Sequence, residues 1–190
     1  IVLKPLDYEH AKKMVAYARK KGLFVAANFI IGFPTETWTE IRKTIDFAEE
    51  INVDYAKLFI AIPLRNTEMF DLAERTNSIN TDTYDGETLW TVGGSIKSDQ
   101  WLPDDLTILR AYEWDRINFS DPKKLKKIAD RMGISIDELN AIRRRTMDNA
   151  KKMIVSRQSS NGSVTKAADI TMVSSQKSSR KERGKTRGNP

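Results

Sequence analysis

The run from Leu23 to Ile62 constrains the fold more than any other part of this chain. An apolar stretch ends in Asn28-Phe29-Ile30-Ile31-Gly32-Phe33-Pro34, an amphipathic stretch follows, and a second apolar stretch ends in Ile60-Ala61-Ile62-Pro63. That order reads as strand, crossover helix, strand. Strands joined in this way run parallel and place their following loops along one edge of the sheet. Ligands of open sheets and barrels bind at that carboxyl edge, so a site is expected near Gly32 and Pro63.

Local signals mark the elements. Ala11, Met14, Val15 and Ala18 recur at helical spacing between Tyr8 and Lys21, with Asp7 placed to cap the start and Gly22 to end the turn. Leu23 to Ile31 is nearly continuous in apolar residues, the pattern of a parallel strand covered on both faces. Thr37 and Glu40 have capping-box spacing, Ile41, Ile45, Ala48 and Ile51 make a stripe, and Asn52 suits a left-handed stop before a strand from Tyr55 to Ile62. Glu68 to Arg75 reads as a short helix with Met69, Leu72 and Ala73 inward. Residues 77–103 form a long polar loop with turn signals at Asp85-Gly86 and Gly93-Gly94 and with Leu89, Trp90 and Val92 in its middle. It has room for a short hairpin and is either a functional lid or binding segment or a plain excursion packed by Trp90. Helices are expected again from Pro103, using Leu106, Leu109, Ala111, Tyr112 and Ile117, then over Lys123 to Met132 and Asp137 to Val155.

Composition narrows the chemistry. The chain has no cysteine, which excludes disulfides, a cysteine nucleophile and any iron-sulfur cluster held by these residues alone. Its single histidine, His10, sits at a helix start and makes a histidine-rich zinc site untenable. The formal charge of +6 belongs to the tail: residues 1–155 hold 24 Lys or Arg against 24 Asp or Glu, and residues 156–190 hold 8 against 2. That Ser-rich basic tail is expected to be disordered. No apolar run approaches the roughly 20 residues of a spanning helix, and no leader-like start is visible, so a cytoplasmic location and no membrane partner are expected. Two parallel strands cannot cover their own faces and edges, and the chain opens at Ile1 without a methionine. Both features fit a carboxyl-terminal piece of something larger.

From Asn28 to Thr37 the sequence resembles the radical S-adenosylmethionine enzymes, in the branch whose members often carry an amino-terminal cobalamin-binding domain. The lead-in Lys4-Pro5-Leu6-Asp7, the Lys21-Gly22 turn, the Asn28 to Thr37 strand and loop, and Pro63-Leu64-Arg65-Asn66-Thr67-Glu68-Met69-Phe70 occur in that family's order. The resemblance implies an α/β fold, the carboxyl-terminal part of a partial TIM-like barrel over residues 1–76, with a helical extension over 104–155. It implies S-adenosylmethionine as cofactor. It also implies a 4Fe-4S cluster with its CxxxCxxC ligands outside this chain, and cobalamin, where present, held by a missing amino-terminal domain. By the same resemblance Asn28 matches a polar strand position that hydrogen-bonds the cofactor, Ile30 an adenine-packing position on the same face, Ile62 an apolar position on the last strand, and Gly32 a close backbone approach. Each has a plainer reading: Ile30 and Ile62 as barrel core, Asn28 as a structural amide, Gly32 as a turn residue, Glu36 as a first-turn carboxylate. Arg65, Asn66 and Glu68 follow the second strand on the same rim and either face substrate or are solvated. Leu64-Arg65-Asn66-Thr67 replaces the family's small Pro-Gly-Thr type turn. No catalytic residue and no metal ligand can be named.

Two rivals stand beside this reading. Residues 123–155 resemble a helix-turn-helix around Met132-Gly133-Ile134-Ser135, with Arg143-Arg144-Arg145 available for phosphates. Asp137 and Glu138 at the leading end of its second helix argue against nucleic acid. The other rival is a homologue of the barrel without catalysis. Reaction subtype and substrate are not legible.

Overall fold

The computed structural model describes residues 6–81, 84 and 94–161. The lead-in residues 1–5, the Asp85-Gly86 turn, Leu89, Trp90, Val92 and Gly93, and the tail from residue 162 lie outside the described residues. Eight elements follow one another: α1 (Tyr8–Lys20), β1 (Ala26–Ile31), α2 (Trp38–Glu50), β2 (Tyr55–Ile60), α3 (Glu68–Arg75), α4 (Pro103–Phe119), α5 (Pro122–Met132) and α6 (Ile136–Asn161). The chain is an α/β protein whose two strands pair in parallel, with Ala26 opposite Tyr55 and Ile31 opposite Ile60.

The helix starts form as their sequences dictate. Asp7 accepts from His10 N at 2.9 Å. Thr37 and Glu40 close a capping box at α2, and Thr67 accepts from Phe70 N at 3.2 Å at α3. Asn52 and Gly22 take left-handed φ of 50° and 77°, ending the preceding helices without side-chain strain.

The strands differ from the sequence expectation in one respect that matters. β1 begins at Ala26, Leu23 being 59% exposed, and it is covered on one face. Phe29 and Ile31 pack against Ile41, Ile45 and Ala48 of α2, together with Leu58 and Ile60 of β2 and Leu106 and Leu109 of α4. Asn28 and Ile30 turn to an open face. An unbroken apolar run cannot by itself tell one covered face from two, because the residues of the second face are apolar in both cases. β2 likewise stops at Ile60, which leaves Ile62 half-buried in the following loop.

The two edges of the sheet are unlike. Tyr55 N donates to Val25 O and Ala61 N to Ile31 O, so alternate residues of β1 (Val25, Ala27, Phe29, Ile31) turn their backbone groups toward β2, and Ala26, Asn28 and Ile30 turn theirs outward. On β2 the outward set includes Ala56, and the buried Asn118 of α4 meets it: Ala56 N donates to Asn118 Oδ1 at 2.8 Å, and Asn118 Nδ2 donates to Ala56 O at 2.8 Å. Its side-chain amide thus stands in for the next strand and blunts that edge. The outer edge of β1 has no such cover among the described residues.

The segment after α3 returns to the body through one antiparallel bridge, Ile79 to Ile96, so its two arms pair at their base. Past α4, Ile128, Ala129 and Leu139 join Phe119 in a second apolar cluster that Phe24, Tyr55 and Trp114 border. α6 runs to Asn161, six residues past the expected end at Val155. No helix among the described residues is long and apolar enough to cross a membrane.

Candidate functional site

The loop leaving β1 is built around Gly32. Its φ is +84°, and a Cβ there would run into Leu106 Cδ1 and lie 3.4 Å from Ile60 Cγ2. Glycine is therefore required twice, by conformation and by the close approach of α4. Glu36 then folds back: its Oε2 accepts from Gly32 N at 2.6 Å and Phe33 N at 3.0 Å. Burial pushes the Glu36 carboxyl above its ordinary value, the two amides pull it back, and the neighbouring Glu40 charge adds to the rise. The distant segment before α4 locks the same loop. Trp101 Nε1 donates to Glu36 O at 2.8 Å, and Trp38 donates to Gln100 from its backbone N, at 3.1 Å to Oε1, and from its indole, at 2.9 Å to the carbonyl. The carboxyl-edge loop is thus a rigid turn, with Glu36 a structural clamp.

Below it lies the open face. Asn28 and Ile30 are exposed, Ile30 by 47%, and with Phe29 they border a cleft of about 670 Å³ along the outer edge of β1, whose other walls include Leu6, Tyr8 and Lys12 and, from α2, Glu40, Lys43, Phe47 and Glu50. The Asn28 side chain has no hydrogen bond among the described residues. Register puts Lys57 directly across from Asn28 and Phe59 across from Ile30, so these four residues share one face. Sequence reading missed Lys57 and Phe59, because strand register was the signal required and one sequence does not supply it.

The remaining candidates are more scattered. Ile62 is half-buried just before the buried Pro63. Arg65, Asn66 and Glu68 are exposed on the β2–α3 rim with no side-chain hydrogen bond or ion pair among the described residues, and Asn66 takes a left-handed φ of 64°. Thr67 Oγ1 donates to Leu64 O at 2.6 Å, which fixes that turn. No group of three or more His, Cys, Asp or Glu among the described residues is arranged to hold a metal ion.

The helix-turn-helix-like segment has a packed interior. Ser135 and Glu138 cap α6 reciprocally, with Ser135 N donating to Glu138 Oε2 at 2.7 Å and Glu138 N to Ser135 Oγ at 3.1 Å. The Ser135 backbone and hydroxyl hold the Glu138 carboxyl below its ordinary value, so the leading end of α6 stays anionic. Arg143 grips Asp115 with two nitrogens, at 2.7 and 3.0 Å, over the ring of Phe119. One of the three consecutive arginines is therefore spent inside the fold.

Comparison with known proteins adds a direction. The chain is 42% identical over 67 residues to an uncharacterized methyltransferase of Pyrococcus horikoshii, a stretch that is 35% of this chain and 15% of that protein. It is 33% identical over 75 residues to the cytidylyl-2-hydroxyethylphosphonate methyltransferase of Streptomyces wedmorensis, 36% of this chain and 14% of that protein. Both relatives are methyltransferases. The chain spans about one-seventh of the length of each. No family model matches it, and no solved structure does.

Proposed function

We propose that this chain is the carboxyl-terminal part of a methyl-transferring enzyme of the radical S-adenosylmethionine type, contributing the last two strand-helix units of a partial TIM-like barrel. The observation that carries the reading is the open face of the β1–β2 sheet. There Asn28 offers an amide with no hydrogen-bond partner among the described residues, and Ile30 and Phe59 lie beside it. An adenosyl group fits that surface: the ring stacks on Ile30 and Phe59, a ring amino or ribose hydroxyl group donates to the Asn28 amide oxygen, and the half-buried Ile62 adds an apolar wall at the rim. Bound there, S-adenosylmethionine supplies an activated methyl group and, on one-electron reduction, a source of radical chemistry.

This chain binds and orients the cofactor and excludes water from it. A 4Fe-4S cluster does not fit the residues present, which include no cysteine, and the described residues give cobalamin no ligand, the single histidine being an exposed residue of α1. In this reading both belong to the preceding part of the enzyme. That part also supplies the strand that pairs with the outward groups of Ala26, Asn28 and Ile30. The sheet continues on that side alone, since Asn118 closes the other edge. Arg65, Asn66 and Glu68 then sit on the rim where substrate enters.

The test is S-adenosylmethionine binding by the full-length protein, wild type against Asn28→Ala and Ile30→Asp. Both positions are solvent-facing in this chain, so folding survives. Binding should weaken at least ten-fold in each variant, and unchanged affinity in both would overturn the assignment.

A further inference from the structure

Lys57 is an unusual residue for its place. It lies mid-strand, where lysine is disfavoured, between the buried Ala56 and Leu58. Its Cα is the ladder partner of Asn28, about 4.8 Å away as neighbouring strands are spaced. Several cations elsewhere in the chain hold carboxylates: Arg42 and Arg116 meet Glu113 at 2.8 and 2.7 Å, and Lys127 meets Asp54 at 2.6 Å. Among the described residues Lys57 holds no carboxylate. Its Nζ lies 5.9 Å from the centroid of the Tyr55 ring, which steers the ammonium along the face. Of the carboxylates in the cleft that Asn28 borders, Glu36 is taken by the Gly32 and Phe33 amides, Glu40 by Thr37 and Glu50 by Lys12.

A lysine and a primary amide, side by side and neither hydrogen-bonded nor ion-paired among the described residues, on a face shared with Ala26, Ile30, Tyr55 and Phe59, are the donors of an anion site. We propose that Lys57 and Asn28 together bind an anionic oxygen, carboxylate or phosphoryl, of the ligand that lies over Ile30 and Phe59. This rests on the reading that a ligand covers this face. Covering it desolvates the ammonium, which then needs an opposite charge. The ligand's anionic oxygen supplies that charge, the Asn28 amide N–H gives it a directed hydrogen bond, and the Tyr55 ring fixes the approach of the ammonium.

The experiment measures equilibrium binding of S-adenosylmethionine, of 5′-methylthioadenosine (which lacks the carboxylate) and of inorganic phosphate to the full-length protein, as wild type, Lys57→Met and Lys57→Arg. If the anion is the cofactor's, Lys57→Met weakens S-adenosylmethionine roughly ten-fold or more, leaves 5′-methylthioadenosine unchanged, and Lys57→Arg restores most of the loss. If the anion is the substrate's, both adenosyl ligands are unmoved and phosphate binding falls by the same factor. Equal weakening of all three ligands, or no change in any, overturns the proposal. Failure of wild type to bind either adenosyl ligand while phosphate binding still depends on Lys57 sinks the cofactor reading and leaves the anion site standing.

Discussion

Replacing Gly32 by alanine tests the construction of the carboxyl-edge loop. Two separate costs are expected. An L-residue held at φ near +84° loses about 1–2 kcal/mol. The new Cβ also drives into Leu106 Cδ1, and forcing extra volume into a packed core costs about 1–3 kcal/mol more. The total is therefore about 2–5 kcal/mol. Gly22→Ala is the internal control, because Gly22 has a similar φ of +77° with nothing within 4 Å of its would-be Cβ. It should lose the conformational part alone. Urea unfolding of the three proteins reads the difference. The double variant Gly32→Ala/Leu106→Ala separates the terms further, since truncating Leu106 relieves the collision and leaves the backbone strain, giving a coupling of opposite sign to the single losses. If Gly32→Ala costs no more than Gly22→Ala, α4 does not press on this turn and the packing described above is wrong.

Glu36→Gln keeps an oxygen for the Gly32 and Phe33 amides and removes a buried charge, so it should be neutral or stabilising at pH 7, whereas Glu36→Ala leaves two amides unmet and should cost about 2–3 kcal/mol in urea melts. Because the folded Glu36 carboxyl lies above its ordinary value, its contribution is fully present below the unfolded pKa and is lost as pH rises through the raised one. The wild-type advantage over Glu36→Ala should therefore be larger near pH 4 than at pH 7. Asp54 runs the other way. Burial alone would raise it, but Lys127, the Val25 amide and Arg19 hold it below its ordinary value, so the stability it confers is present above the unfolded pKa and is lost as pH falls through the depressed one, and Asp54→Asn should flatten the acid limb of a stability-against-pH curve. Asn118→Ala leaves Ala56 N–H and C=O buried without partners and should cost about 2–4 kcal/mol, with faster amide exchange at Ala56.

Most of the elements were legible because their signals are local. Asp7, Thr37 with Glu40, Asn52 and the stripe Ile41, Ile45, Ala48 each act within one or two turns, and the parallel order of the strands follows from the helix between them. What was not legible depends on pairs far apart in the chain. The clamp on the Gly32 loop uses Gln100 and Trp101, more than sixty residues from their partners, and nothing in their local pattern marks them. Asn118 caps a strand edge 62 positions away, a role invisible in a helical stretch where it reads as an ordinary polar residue. Gly32 was recognised as a close-approach position, but the group that comes close in this chain is Leu106, and that depends on where α4 lies. Of the candidate site, Asn28 and Ile30 could be paired from strand alternation alone, while Lys57 and Phe59 needed the register.

The most direct test of the whole account is residue-resolved amide exchange along β1, in this chain alone and in the full-length protein. In the chain alone Ala27, Phe29 and Ile31 should be protected by β2, and Asn28 and Ile30, whose amides face the free edge, should exchange quickly. In the full-length protein both sets should be protected. Equal protection of all five amides in the isolated chain, or fast exchange of Asn28 and Ile30 in the full-length protein, would contradict the proposal that a preceding part of the enzyme completes an open sheet edge.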